Sequence, residues 1–478
     1  MRYSPSRRLA WAGGGSLLPR PIQEGMLRRT FTPIVLLSLV TVLLMGCTPD
    51  ASERERRDAA FLHAATDQLS DVIVYDIFSP PQASRVYAYA SIAAFEAVRH
   101  GQPGYRSFAG RVNGLKPVPV PDSAAQYYLP LAGVHAFMTV GTALTFSQAR
   151  MDSLRAVMHR QMRRTGVSDD VFERSVAYGD TVAAHVLAWS REDRFSQSRG
   201  YPKFSVTQAP GRWVPTPPAY MDGVEPNWGM LRAFIMDSSS QFRPNPPLPF
   251  DTTEGSPFFL QVKEVYEMGR TLTDEQRGIA AFWDCNPYVM HVQGHTMFAT
   301  KKITPGGHWM GIAGIAARKA EADITRSAET YARTAMALAD GFISSWDEKY
   351  RSAVIRPETV INSVLDESWE PLLQTPPFPE YTSGHSVIST AAALVLTDQF
   401  GADFAFVDST EMTYGLAPRA FPSFEAAGAE AAISRLYGGI HYRMAIEEGI
   451  TQGRKVGTLV AQRTRRGGPT ERAVAGAR

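Results

Sequence analysis

Residues Pro376 to Gly401 read PPFPEYTSGHSVISTAAALVLTDQFG, and they constrain the fold more than any other stretch. Pro376, Pro377 and Pro379, with Pro371 upstream, hold the chain extended as far as Tyr381, because proline fixes φ and keeps its predecessor out of the helical region. A helix must start after them. Ser389 to Ala393 continue into Leu394, Val395 and Leu396 as a buried helical run, and Gly401 supplies a left-handed stop. Ser383, Gly384, His385 and Ser386 therefore stand at a helix entrance, where unpaired N–H groups and the positive end of the macrodipole favour an oxyanion.

The rest of the chain also reads as helix. Ser79 can cap a helix whose first turn takes Pro80 and Pro81, and Ala83, Val86, Tyr87, Ala90, Ala93, Ala94 and Ala97 recur along one face. Helices are expected over 127–146, 147–164 and 171–189, the last capped by Ser168. Thr273 and Gln276 form a capping-box pair, and one helix is expected over 316–350. No run is dominated by alternating β-branched residues, so the expected class is all-α.

Nine prolines between Pro210 and Pro249 make residues 200–256 a long extended connection, of the kind that packs over a functional site. The expected layout is an N-terminal helical bundle over 57–199, this connection, and a C-terminal bundle over 257–462 that holds the site. Residues 48–56 read as a linker and 463–478 as a disordered tail containing Arg463, Arg465 and Arg466. A net charge of +2, with no basic stripe interleaved with aromatics, excludes a nucleic-acid partner.

At the N-terminus, Arg28 and Arg29 precede an apolar run from Ile34 to Met45, too short for a stable span and fitting a signal-peptide core. Leu44-Met45-Gly46-Cys47 resembles a bacterial lipobox. That resemblance implies a signal peptide over 1–47 with Met26 as an alternative start, lipidation of Cys47, and an exported lipoprotein anchored in the outer membrane facing the periplasm. Cys285 would then be the one remaining cysteine besides Cys47, which excludes an internal disulfide.

Three separated segments carry chemistry. Lys349 and Arg356-Pro357 lie seven residues apart, two helical turns that nearly superpose the cations on one face. Ser383-Gly384-His385 is the helix entrance. In Ser434-Arg435-Leu-Tyr-Gly-Gly-Ile-His441 the paired glycines can break a helix and turn Arg435 and His441 inward together. Three cations, a hydroxyl, a backbone amide and two imidazoles make the donor set of a tetrahedral oxyanion.

At these residues the chain resembles the superfamily that joins type 2 phosphatidic acid phosphatases, bacterial acid phosphatases and vanadium-dependent haloperoxidases. Segments such as Gly211 to Ala219, Gln241 to Pro244, Trp283-Asp284 and Thr304 to Trp309 are similar to the bacterial haloperoxidase-like branch. The resemblance implies an enzyme that binds vanadate through His441, with Lys349, Arg356, Ser383, Gly384 and Arg435 as hydrogen-bond donors. His385 would be the acid–base group, Lys349 would polarise bound peroxide, and halide would be oxidised to hypohalous acid. The same residues imply the alternative of an acid phosphatase working through a phosphohistidine, with a phosphate ester as substrate and no cofactor. A third possibility is a lipoprotein that binds phosphate without turnover. Ala445 stands where the family's third motif has an aspartate that orients the histidine, so Glu447, Glu448 or a backbone carbonyl is expected to replace it.

Other candidates read as structural. His291 and His295, spaced i, i+4, resemble half a zinc site, but Val292 stands where a zinc peptidase needs glutamate. His308 beside Trp309 reads as structural or pocket-lining, and Cys285 as a buried apolar residue without a cationic neighbour.

Overall fold

The computed structural model describes residues 51–466. The signal segment, Met26 and Cys47 lie outside the described residues, as does the tail from 467 onward. The first half contains α1 (Ala51–Tyr75), α2 (Pro80–Val98), α3 (Leu129–Ala143), α4 (Gln148–Arg163), α5 (Asp169–Ser190) and the short α6 (Phe195–Ser198). After the connection come α7 (Pro257–Thr271), α8 (Asp274–Phe282), α9 (Pro305–Lys319), α10 (Ile324–Ser352), α11 (Pro357–Val364), α12 (Gly384–Phe400), α13 (Phe424–Tyr437) and α14 (Arg443–Thr464). Two antiparallel pairs interrupt this helical architecture: β1 (Val289–Gln293) with β2 (Thr296–Thr300), and β3 (Phe406–Asp408) with β4 (Arg419–Phe421).

Local capping sets several starts as the residues require. The Ser79 side chain accepts from Gln82 N, with Pro80 and Pro81 in the first turn of α2, and Thr273 with Gln276 forms the full capping box of α8. Ser168 occupies the N-cap position of α5, but its side chain makes no capping bond. The helix expected over 316–350 is two. Glu321 turns left-handed at φ 46°, and Asp323 starts α10 by accepting from Arg326 N. α1 begins at Ala51, inside the expected linker. α14 runs to Thr464, past the expected start of the tail, because Arg463 and Thr464 are buried.

Helix α10 is the structural axis. It is buried along most of its length and packs against α2 from the first half and α12 from the second. Ala328, Ala332, Ala335, Ala337 and Ala339 are all buried on it, and their small side chains let these neighbours approach closely.

The proline-rich connection clamps its C-terminal half. The Asp340 carboxylate accepts from the backbone N–H groups of Phe234, Ile235 and Met236 at 2.6, 2.8 and 2.9 Å. Val224 O accepts from Trp346 Nε1 at 3.1 Å and from the Tyr350 hydroxyl at 2.6 Å.

Close packing also fixes α12. Gly449, Gly453 and Gly457 of α14 recur every fourth residue, so they fall on one helix face. A Cβ at Gly453 would stand 2.2 Å from Val387 O, and one at Gly457 would stand 2.8 Å from Ala391 Cα. Only glycine lets the two backbones meet, and this contact fixes the helix that begins at Gly384 and His385.

Candidate anion site

The three motif segments converge on one extended strip of backbone. Lys349 is fully buried near the end of α10, and its Nζ donates to Pro379 O and Glu380 O, each at 3.0 Å. Arg356 is not on the same helix, as the seven-residue spacing suggested. α10 stops at Ser352, Ala353 turns left-handed at φ 47°, and Arg356 becomes the N-cap residue of α11. Its guanidinium reaches the strip all the same: Nε donates to Phe378 O at 2.9 Å, Nη2 to Pro376 O at 3.4 Å and Nη1 to Ile440 O at 2.8 Å. The prolines keep these carbonyls out of any helix, which leaves them available as acceptors.

Ser383 ends the strip as the N-cap of α12, its hydroxyl accepting from Ser386 N at 3.3 Å and Ser386 Oγ at 2.8 Å. Gly384 and His385 are the first helical residues. Helix α13 ends at Tyr437, and Gly439 takes φ 76°, the break that turns the chain back toward His441. Arg435 donates from Nε to Ser434 Oγ at 2.9 Å and from Nη2 to Trp283 O at 2.7 Å. Its Nη1 hydrogens remain for a ligand.

The tautomer of His441 follows from its partners. Arg356 Nη1 lies 3.3 Å from His441 Nε2, and a guanidinium can only donate, so Nε2 is the acceptor. Nδ1 therefore carries the hydrogen and donates to Glu380 Oε1 at 2.8 Å. Glu380 Oε1 also accepts from Tyr442 N at 3.0 Å. The carboxylate that orients the histidine thus comes from Glu380 and not from Glu447 or Glu448. Glu448 instead accepts from the Asn245 side chain at 2.7 Å, and the Ala445 carbonyl accepts from Ser383 N at 3.0 Å.

Gly384, His385, Arg435 and His441 line a small pocket, walled on other sides by Pro80, Cys285, Asn286, Pro305, Trp346 and Phe378. Lys349 and Arg356 stand behind this wall, with Phe378 against both at 5.1 Å.

Burial drives every basic group here toward its neutral form. It holds Lys349 well below the ordinary lysine range, with Arg356 pushing the same way. It lowers Arg356 to about 10 and Arg435 below its usual range. Both imidazoles fall well below theirs, first through burial and then through the neighbouring cations. Glu380 is pushed up to about 7 by burial, against the pull of Arg356 and Lys349. Such a crowd of desolvated donors is stabilised by an anion among them.

Two buried polar atoms of the pocket wall also have no partner among the described residues: His385 Nε2 and Asn286 Nδ2. The Asn286 carbonyl is taken by Tyr288 N at 2.9 Å, which leaves its amide hydrogens to the cavity. The orphaned Asn286 amide, lone pairs on His441 Nε2 and His385 Nε2, and converging cations fit a protonated tetrahedral oxyanion such as vanadate.

Glu380 and Asn286 were not among the expected site residues. Glu380 stands between Pro379 and Tyr381 in a stretch without helical period, and Asn286 in an irregular turn. Cys285 lines the pocket and has His308 Nδ1 at 3.3 Å, so it is not the isolated apolar residue expected. His291 and His295 do not share a helix face. His291 is in β1 and meets Thr300 Oγ1 at 2.8 Å, while His295 occupies the turn to β2.

A family model described as the VCPO second helical-bundle domain matches residues 329–467. A solved structure of the first bacterial vanadium-dependent iodoperoxidase has 50% sequence identity and a TM-score of 0.80, covering 85% of this chain and 96% of its own. Holo and apo structures of a bacterial vanadium-dependent chloroperoxidase share the fold at 18% and 19% identity. Their TM-scores are 0.62 and 0.60, over 81% and 79% of this chain and 93% and 92% of theirs. No functionally curated protein matches the chain significantly. A half-identical relative over 85% of the chain leaves one assignment: this chain belongs to the vanadium-dependent haloperoxidases and is an enzyme of that type.

Proposed function

We propose that the chain binds vanadate at His441 and oxidises a halide, iodide foremost, with hydrogen peroxide. The observation that carries this reading is the 50% identity to a vanadium-dependent iodoperoxidase, together with a buried site in which Lys349, Arg356, Arg435, His385 and His441 are gathered around one nearby carboxylate, Glu380. Bound vanadate supplies a Lewis-acidic centre that activates peroxide without a change in metal oxidation state. The residues of the chain supply the rest. His441 presents the Nε2 lone pair, held in that tautomer by Glu380. Lys349, Arg356 and Arg435, with Ser383 and the Gly384 amide, balance negative charge around the ligand. His385 is kept neutral by burial, and its unpartnered Nε2 accepts a proton from entering peroxide. The Asn286 amide adds a donor on the facing wall.

Halogenation of monochlorodimedone by the purified protein, with and without vanadate, tests the reading, and p-nitrophenyl phosphate is assayed in parallel. Vanadate-dependent iodination lost in His441→Ala is the expected result. Phosphate-ester hydrolysis without iodination would overturn it in favour of a phosphatase.

The lipobox-like ending at Cys47 supports export as an outer-membrane lipoprotein facing the periplasm. Cys47→Ser should move the protein from the membrane fraction to the soluble one. Unchanged membrane association would exclude the lipid anchor.

A further inference from the structure

Beside the anion pocket, three residues from three different segments point one ligand atom each at a common centre. Cys285 follows α8, His308 lies in the first turn of α9, and Glu411 belongs to the 3-10 turn Thr410–Tyr414. Cys285 Sγ lies 3.3 Å from His308 Nδ1 and 3.7 Å from Glu411 Oε1, and His308 Nδ1 lies 3.1 Å from Glu411 Oε1. All three residues are buried, at 1%, 0% and 5% exposure. We propose that Cys285, His308 and Glu411 form a binding site for one divalent transition ion of the zinc class, distinct from the vanadate site.

The geometry suits an ion. Zinc bonds of ~2.0–2.3 Å to sulfur, nitrogen and oxygen at tetrahedral angles give ligand-to-ligand edges of roughly 3.3–3.6 Å. The observed triangle has edges of 3.1, 3.3 and 3.7 Å, so one point lies at bonding distance from all three atoms. Without an ion the same atoms are held by hydrogen bonds, the thiol donating to Glu411 Oε1 at 3.7 Å with His308 Nδ1 3.1 Å from the same oxygen, so the ligand atoms are already gathered before an ion enters.

The surroundings of the ring complete the pattern of a metal ligand. His308 Nε2 lies 2.7 Å from Asp408 Oδ2, a fully buried carboxylate whose other oxygen accepts from Thr410 N at 2.9 Å. This pairing fixes the ring so that Nδ1 faces the centre, as the outer carboxylate does for metal-bound histidines. Trp283 stacks on the other side of the ring at 4.5 Å and 17°, which limits its rotation.

The test uses purified wild-type protein without vanadate. Zinc content is measured by elemental analysis, and after chelator treatment the protein is titrated with Co²⁺ and followed by absorbance. The expected result is saturation at about one equivalent, with a thiolate-to-cobalt charge-transfer band. Cys285→Ser should abolish the band, and since Cys47 is the only other cysteine, its loss assigns the ligand. Glu411→Gln, checked for a native circular dichroism spectrum, should weaken binding about tenfold or more. Asp408→Asn should retain the band with weaker binding. Absence of saturable binding to the wild type, or an unchanged titration in Cys285→Ser and Glu411→Gln, overturns the site. These readouts do not depend on halide oxidation, so they stand apart from the proposed activity.

Discussion

Glu380 and His441 are 61 residues apart in sequence and 2.8 Å apart in space, and their contact decides which nitrogen of the imidazole faces the cavity. The family's third motif places the orienting carboxylate downstream of the histidine, whereas here it comes from the proline-bounded strip upstream. Glu380→Gln keeps the shape and removes the charge, so the Nδ1 hydrogen loses its anionic acceptor. Vanadate affinity should fall about 10–100-fold, as for other outer partners of metal-bound histidines. Equilibrium titration of vanadate with the variant measures it, and an unchanged affinity would show that the contact is incidental.

Lys349 links anion binding to protons. In the free protein burial and Arg356 hold its pKa well below the ordinary lysine value, while a bound anion favours the charged form. Above the free-state pKa, binding therefore takes up a proton, and affinity falls as pH rises. Calorimetry of vanadate binding in two buffers of different ionisation heat reads this uptake directly. Lys349→Met should bind more weakly and take up fewer protons than the wild type at the same pH, so vanadate's own ionisation cancels in the comparison.

Asn286 faces the cavity with amide hydrogens that no described residue accepts. Asn286→Ala should cost about 1 kcal/mol of stability, since Tyr288 N loses its acceptor, and about 1 kcal/mol of ligand binding, each the size of one hydrogen bond. Steady-state kinetics with varied peroxide and iodide would show which of the two ligands loses the contact, through the KM that rises about fivefold at that energy.

Gly453 bears on the site from a distance. A methyl group there would collide with Val387 O, a backbone atom that cannot rotate away. Gly453→Ala should cost about 3 kcal/mol or more, because α14 must move off α12. Denaturant unfolding measures the loss. Vanadate affinity should fall with it, since α12 presents Gly384 and His385.

Much of this architecture is legible in the residues. The helix after Pro379, its Ser383 cap and its Gly401 stop are local features, and the three motif segments do converge. What escapes sequence reading is what depends on distant partners. Ala320 and Ile324 keep the apolar stripe across the break between α9 and α10, so periodicity runs through a turn that Asp323 creates by capping. The stretch from Met290 to Thr300 lacks a β-branched alternation, yet it pairs as a hairpin about Gly294 at φ 59°. Lys349 and Arg356 meet through the carbonyls of one strip and not through helical stacking, and no spacing rule encodes that.

The strip from Pro376 to Ser383 meets nearly every group of consequence: it receives Lys349 and Arg356, orients His441 and launches the helix of His385. A single short ribbon is thus the shared reference for both imidazoles, and any drift in it detunes them in concert. Substitutions on the pocket wall at Asn286 or Pro305 should therefore reshape the cavity without disturbing that gauge.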